Sequence, residues 1–131
     1  MSGNPTELES LYLSFMAVNE KLAQRVRDAL AEVPKVAEKK MFRGVTFMVN
    51  GKMCVSVSDE EIMCRIDPEV FESALERNGC RPMIHGGRTM TGFVYVHEST
   101  ISRKKDFDYW IELSLAFNKK AKASKRKKRN N

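Results

Sequence analysis

The dipeptide Asn50-Gly51 sits between two runs rich in Val, Phe, Thr and Met, within MFRGVTFMVNGKMCVSVSDEEIMCRI at residues 41–66. A type I′ turn needs positive φ at both central residues, which Asn and Gly tolerate, so the pair predicts a two-residue β-hairpin. A second turn through Ser58-Asp59-Glu60-Glu61 leads into a third run that ends at Ile66. The stretch therefore reads as a three-stranded antiparallel meander that the rest of the chain has to cover.

A regular register follows from the two-residue loop. Val49 pairs with Lys52, Met48 with Met53 and Phe47 with Cys54, and paired residues share a face. An even second turn pairs Val57 with Ile62, Val55 with Cys64 and Met53 with Ile66, whereas a one-residue slip would turn Glu61 and Arg65 inward. Phe42, Met48, Met53, Val55, Val57, Ile62, Cys64 and Ile66 then form the core face. The far face carries Val45, Phe47, Val49, Cys54 and Met63 among Arg43, Lys52, Ser56 and Arg65. That mixture predicts a contact surface, covered by a partner protein, by a second copy in a homodimer, or by the segment Leu8–Phe15.

Around the meander the local signals are helical. Thr6 and Glu9 match a capping box ahead of Leu8, Leu11, Tyr12 and Phe15, and Asn19 is a second N-cap ahead of Leu22, Val26, Ala29, Leu30 and Val33, with Pro34 as a stop. One long helix over residues 6–33 is the alternative. Asp67-Pro68 supplies an N-cap and a proline at the first helical position, and Gly79 a terminator. Gly86-Gly87 marks a turn between a weak strand and a stronger one at Gly92–His97, and Ser102–Asn118 is a last helix with Phe107, Trp110, Ile111, Leu115 and Phe117 apolar. The order helix, three strands, helix, two strands, helix implies an α+β two-layer sandwich with an antiparallel sheet.

At 131 residues the chain is one domain: an extension at 1–18, a body at 19–118 and a disordered basic tail at 119–131. The net charge of +6 belongs to the tail. Residues 119–131 hold eight of the 23 Lys and Arg and none of the 17 Asp and Glu, so the rest carries 15 against 17. Lys119, Lys120, Lys122, Lys125, Arg126, Lys127, Lys128 and Arg129, without an aromatic among them, predict weak, sequence-blind nucleic-acid binding or a merely solubilising tail. Three unpatterned cysteines and the absence of an apolar span or signal peptide predict a reduced, cytoplasmic protein without membrane contact.

Catalytic chemistry finds little support. His85 and His97 lack metal-ligand spacing, and the regular register turns Cys54 and Cys64 to opposite faces, so no metal or cofactor site is expected. Cys54 has no base beside it to make a nucleophile. The acids Asp59, Glu60 and Glu61 fit a turn, and Asp106 and Asp108 a helix start. Gly86-Gly87 lacks the spacing and the following helix of a phosphate loop. No catalytic residue is assigned; the rival readings are a small enzyme using Cys54 or the Gly86-Gly87 loop, and a sheet-mediated homo-oligomer with a structural role.

Taken in order, MFRGVTFMVNGKM, then IMCRIDPE, then Arg81-Pro82-Met83 with Gly87-Arg88 and Gly92-Phe93-Val94-Tyr95-Val96, then Trp110 and Ser114-Leu115-Ala116-Phe117, the chain resembles the TfoX/Sxy family N-terminal domain over about residues 20–118. The resemblance implies an α+β fold with an antiparallel sheet and a regulatory role, since the best-known members are competence regulators that act with a transcription activator. Those regulators carry a second helical domain where this chain has its basic tail, which suggests a single-domain relative. Arg43 stands where many relatives show a second glycine. The family offers no catalytic motif to place here, so the expectation is a non-enzymatic module that binds a protein.

Overall fold

The computed structural model describes residues 19–41 and 44–122. Helix α1 (Glu20–Ala29) starts at Asn19, whose side chain accepts the Leu22 backbone N–H at 3.0 Å. It stops short of Pro34: Lys35, at φ 58°, turns the chain into a strand, and its carbonyl accepts from the Asn50 N–H at 2.9 Å. The strands are β1 (Val36–Met41), β2 (Gly44–Val49), β3 (Lys52–Val57), β4 (Glu61–Arg65), β5 (Cys80–His85) and β6 (Arg88–His97). A 3-10 turn at Pro68–Val70, capped by Asp67, runs into the single-turn helix α2 (Phe71–Ala74) between β4 and β5, and α3 (Lys104–Asn118) closes the fold.

The predicted α+β class holds, with one more strand than expected. The six strands form one antiparallel sheet in the order β1-β2-β3-β4-β6-β5. Strand β1 has almost no apolar alternation because it is an edge: only Val36 is half-buried, while Glu38, Lys39 and Lys40 face water. Charged edges of this kind block pairing with a further chain. The opposite edge, β5, carries Pro82 and a register shift beside it, which serve the same end.

The hairpin turn is as predicted, with Asn50 at φ 53° and Gly51 at 77°. The register beyond it is not. Val49 faces Lys52 and Met48 faces Met53, but Phe47 faces Val55 and Val45 faces Val57, so β3 has a bulge at Cys54. Cys54 and Val55 both point inward opposite Phe47. This corrects the face assignment of β2: Val45, Phe47 and Val49 belong to the core with Cys54, while Met48 and Met53 turn away. Pairing of Val55 with Cys64 and Val57 with Ile62 follows the prediction.

The three described helices lie on that core face. Leu22, Ala23, Val26 and Leu30 of the α1 region, Phe71 and Ala74 of α2, and Phe107, Trp110 and Ile111 of α3 pack in one cluster with the inward side chains of β2, β3, β4 and β6. The buried stripe of α3 continues through Ser114 and Asn118 instead of Leu115 and Phe117. Their polar atoms are satisfied: Ser114 Oγ donates to the Trp110 carbonyl at 2.9 Å, and Asn118 Nδ2 to the Val49 carbonyl at 3.3 Å. Arg27 ties α1 to the edge through Glu38, at 2.5 and 2.8 Å.

Because Phe47 is fully buried under the helices, its loss acts on folding. Phe47→Ala should cost about 3–5 kcal/mol in urea denaturation. Gly44→Ala should be comparably harmful, since a methyl group there would overlap the Val57 carbonyl oxygen. A Phe47→Ala variant within 1 kcal/mol of wild type, by about the threshold that separates surface from core changes, would contradict the inward register.

Candidate functional site

Of the five residues assigned to a contact surface, Val45, Phe47, Val49 and Cys54 are in the core and only Met63 lies on the far side of the sheet. The bulge is the reason, because it lets β2 and β3 both bury their apolar sides. Cys54 and Cys64 consequently share the core face instead of opposing each other.

The thiols are held protonated. Burial pushes Cys54 up to about 11, with Arg65 opposing, and Cys80 up to about 11, with Arg77 opposing. Burial pushes Cys64 up to about 12 although Ser114 hydrogen-bonds it. A thiol in that state is a small core side chain and not a nucleophile. Gly86 and Gly87, at φ 59° and 76°, form the type I′ turn of the β5–β6 hairpin, so no helix N-terminus follows to receive a phosphate. Among the described residues no group of three His, Cys, Asp or Glu side chains is placed to hold a metal ion.

A cleft of about 590 Å³ lies on the sheet face opposite the described helices, running from the β3–β4 turn to β5. The rung Thr46–Ser56–Met63–Tyr95–Arg81 crosses this face, and Ser58, Asp59, Glu60 and Glu61 form one rim. Arg81 lies 4.4 Å over the Tyr95 ring and donates to both Glu61 carboxylate oxygens at 2.9 Å. His97 Nδ1 accepts the Ser99 backbone N–H at 3.1 Å, so the neutral ring carries its proton on Nε2, 3.2 Å from Glu60 Oε1. Both basic groups of the cleft thus already hold a carboxylate partner. The arrangement suits a polar-rimmed contact surface better than an acid–base pair facing a substrate. Sequence reasoning missed these pairs because each joins residues brought together only by sheet pairing.

A second feature gathers at the C-terminus of α3. Lys52 Nζ donates to the Asn118 carbonyl at 2.7 Å, an acceptor at the helix end, and Arg65 Nη2 donates to the Lys122 carbonyl beyond the helix at 3.1 Å. Lys120 Nζ reaches Asp67 Oδ2 at 2.7 Å. Hydrogen bonds from Lys120 and from the Glu69 N–H hold the Asp67 carboxyl below its usual range. Ala121 is buried. The folded body therefore extends to Lys122 instead of stopping at Asn118, with Lys119 exposed and Lys120 committed to an internal pair. Lys125, Arg126, Lys127, Lys128 and Arg129 lie outside the described residues, as do the helix expected at Thr6–Phe15 and the core position expected for Phe42.

These features define a small α+β domain, one antiparallel sheet with the described helices on one face. No described helix is long and apolar enough to cross a membrane. The sequence profile of the TfoX N-terminal domain matches residues 28–118, and the chain belongs to that family. A crystal structure of a protein from Pseudomonas syringae has the same fold, with a TM-score of 0.56 over 73% of this chain and 97% of that chain, at 16% identity. No curated protein matches the chain in sequence.

The buried thiols make a direct forecast. In native protein at pH 8, Cys54 and Cys64 should resist a disulfide reagent and react only after denaturant is added, with Cys80 reacting slowly. Rapid modification of Cys54 in the native state would restore it as a reactive group.

Proposed function

We propose that this domain is a regulatory module that works by binding a protein partner and without catalysis, and that its cationic C-terminal run adds sequence-blind contact with nucleic-acid phosphates. The observation that carries the reading is membership of the TfoX N-terminal domain family across residues 28–118. The resemblance implies regulators that act together with a transcription activator. Protonated thiols and mutually paired charges in the cleft support a binding role over a catalytic one. Three free cysteines fit a reducing cytoplasmic setting.

The phosphate-binding part of the proposal rests on the run of cations near the end of the sequence. Lys120 is engaged by Asp67, whereas Lys125, Arg126, Lys127, Lys128 and Arg129 follow one another without an acid. Five phosphate contacts imply a log–log salt slope of about −4 to −5 on duplex DNA. A chain ending at Lys122 should lose this binding in fluorescence anisotropy on random duplex while its melting temperature stays unchanged. A chain ending at Asn118 should also melt lower, because it loses the Lys120–Asp67 pair and buried Ala121. Undiminished binding by the chain ending at Lys122 would remove the nucleic-acid part of the proposal.

A further inference from the structure

The sheet face opposite the helices has a dry centre. Thr46 is 0% exposed, Ser56 7% and Met63 6%, and the two hydroxyls meet at 2.6 Å. Yet α1, α2 and α3 all pack on the other face, and Met63 stands apart from the main core cluster. Around this centre, Met48, Met53, Met83 and Tyr95 are half-buried. A face of this composition, with a buried hydroxyl pair at its middle, has the character of an internal surface that a further layer covers.

The position of Asn19 identifies that layer. Its Nδ2 donates to the Asp59 carbonyl at 3.0 Å and to Glu98 Oε1 at 2.7 Å, which pins the start of α1 to the β3–β4 turn. Ser58, Asp59, Glu60 and Glu61 of the same turn form the rim of the cleft. Residues 1–18 therefore join the fold at the edge of the face opposite the described helices. Within them Leu8, Leu11, Tyr12 and Phe15 recur at i, i+3, i+4 and i+7 behind the Thr6/Glu9 capping box, giving one apolar stripe. A ten-residue helix is about 15 Å long. The rung from Thr46 through Ser56 and Met63 to Tyr95 spans three inter-strand spacings, about 14 Å.

We propose that residues 6–15 form an amphipathic helix that docks its Leu8–Leu11–Tyr12–Phe15 stripe across Thr46, Ser56 and Met63, making the domain a helix–sheet–helix sandwich. The tether favours this occupant over a second copy: a covalently joined segment acts at a millimolar-scale effective concentration, roughly, without the entropy of association. The inference is independent of the regulatory reading, since it concerns how the far face is filled and not what the domain controls.

Methionine oxidation by hydrogen peroxide, read residue by residue by mass spectrometry, tests the docking, with exposed Met41 as internal reference. Met63 should react slowly in the full-length chain. Phe15→Asp in the full-length chain should speed Met63 oxidation by about tenfold or more while Met41 is unaffected. A chain starting at Asn19 should show the same loss of protection, restored by adding a synthetic peptide of residues 1–18. If that shortened chain does not fold, the full-length Phe15→Asp variant decides alone. Three results would overturn the proposal: fast Met63 oxidation in wild type, unchanged protection in Phe15→Asp, or protection that rises with protein concentration as light scattering reports a dimer.

Discussion

Phe47 stands opposite two residues, Cys54 and Val55, and the sense of the whole sheet depends on that bulge. Side chains alternate along a strand, so β2 and β3 can both turn their apolar residues inward only if one strand gains a residue between the turn and the core. Val49 and Lys52 beside the turn obey regular pairing, and the extra residue then brings Val45, Phe47, Val55 and Val57 to one side. Disrupting one rung of the ladder costs little compared with exposing a phenyl ring, whose burial is worth roughly 1.5–3 kcal/mol. The packing of α1 and α3 follows, because both need an apolar face to cover.

Charge is distributed with the same economy. Lys52 meets the last carbonyl of α3 and Arg65 the carbonyl of Lys122 just beyond it, Asp67 caps a helical turn and also holds Lys120, and Arg27 fastens α1 to the charged edge strand through Glu38. Of the cations that read as a uniform basic tail in the sequence, Lys120 is thus held in an ion pair within the fold. A cation held by an internal carboxylate has less charge to offer a phosphate.

What could be read from the sequence was local. Asn50-Gly51, Gly86-Gly87, the Asn19 cap and Asp67-Pro68 each act within a few residues, and each appears where expected. The bulge could not be read, because it is a compromise between two strands and leaves no signal within either. Strand β1 was invisible for a different reason: an edge strand is selected for charge, and Glu38-Lys39-Lys40 has no alternation to detect. Ser114 and Asn118 were passed over as buried positions because their partners, Trp110 and Val49, satisfy them only in the folded state. The paired charges of the cleft were hidden likewise, with Glu61 and Arg81 twenty residues apart in the chain. The contact surface drawn from a regular register was therefore misplaced, although Met63 does lie on the face opposite the helices.

The register between β2 and β3 is accordingly the quantity to measure. Nuclear Overhauser contacts between backbone protons of the two strands report it directly in solution. Cross-strand contacts joining Phe47 to Val55 and Thr46 to Ser56, with Met48 still joined to Met53, are the predicted result. Contacts joining Thr46 to Val55 and Val45 to Ser56, with none joining Phe47 to Val55, would mean an unbroken ladder and would contradict the core described above.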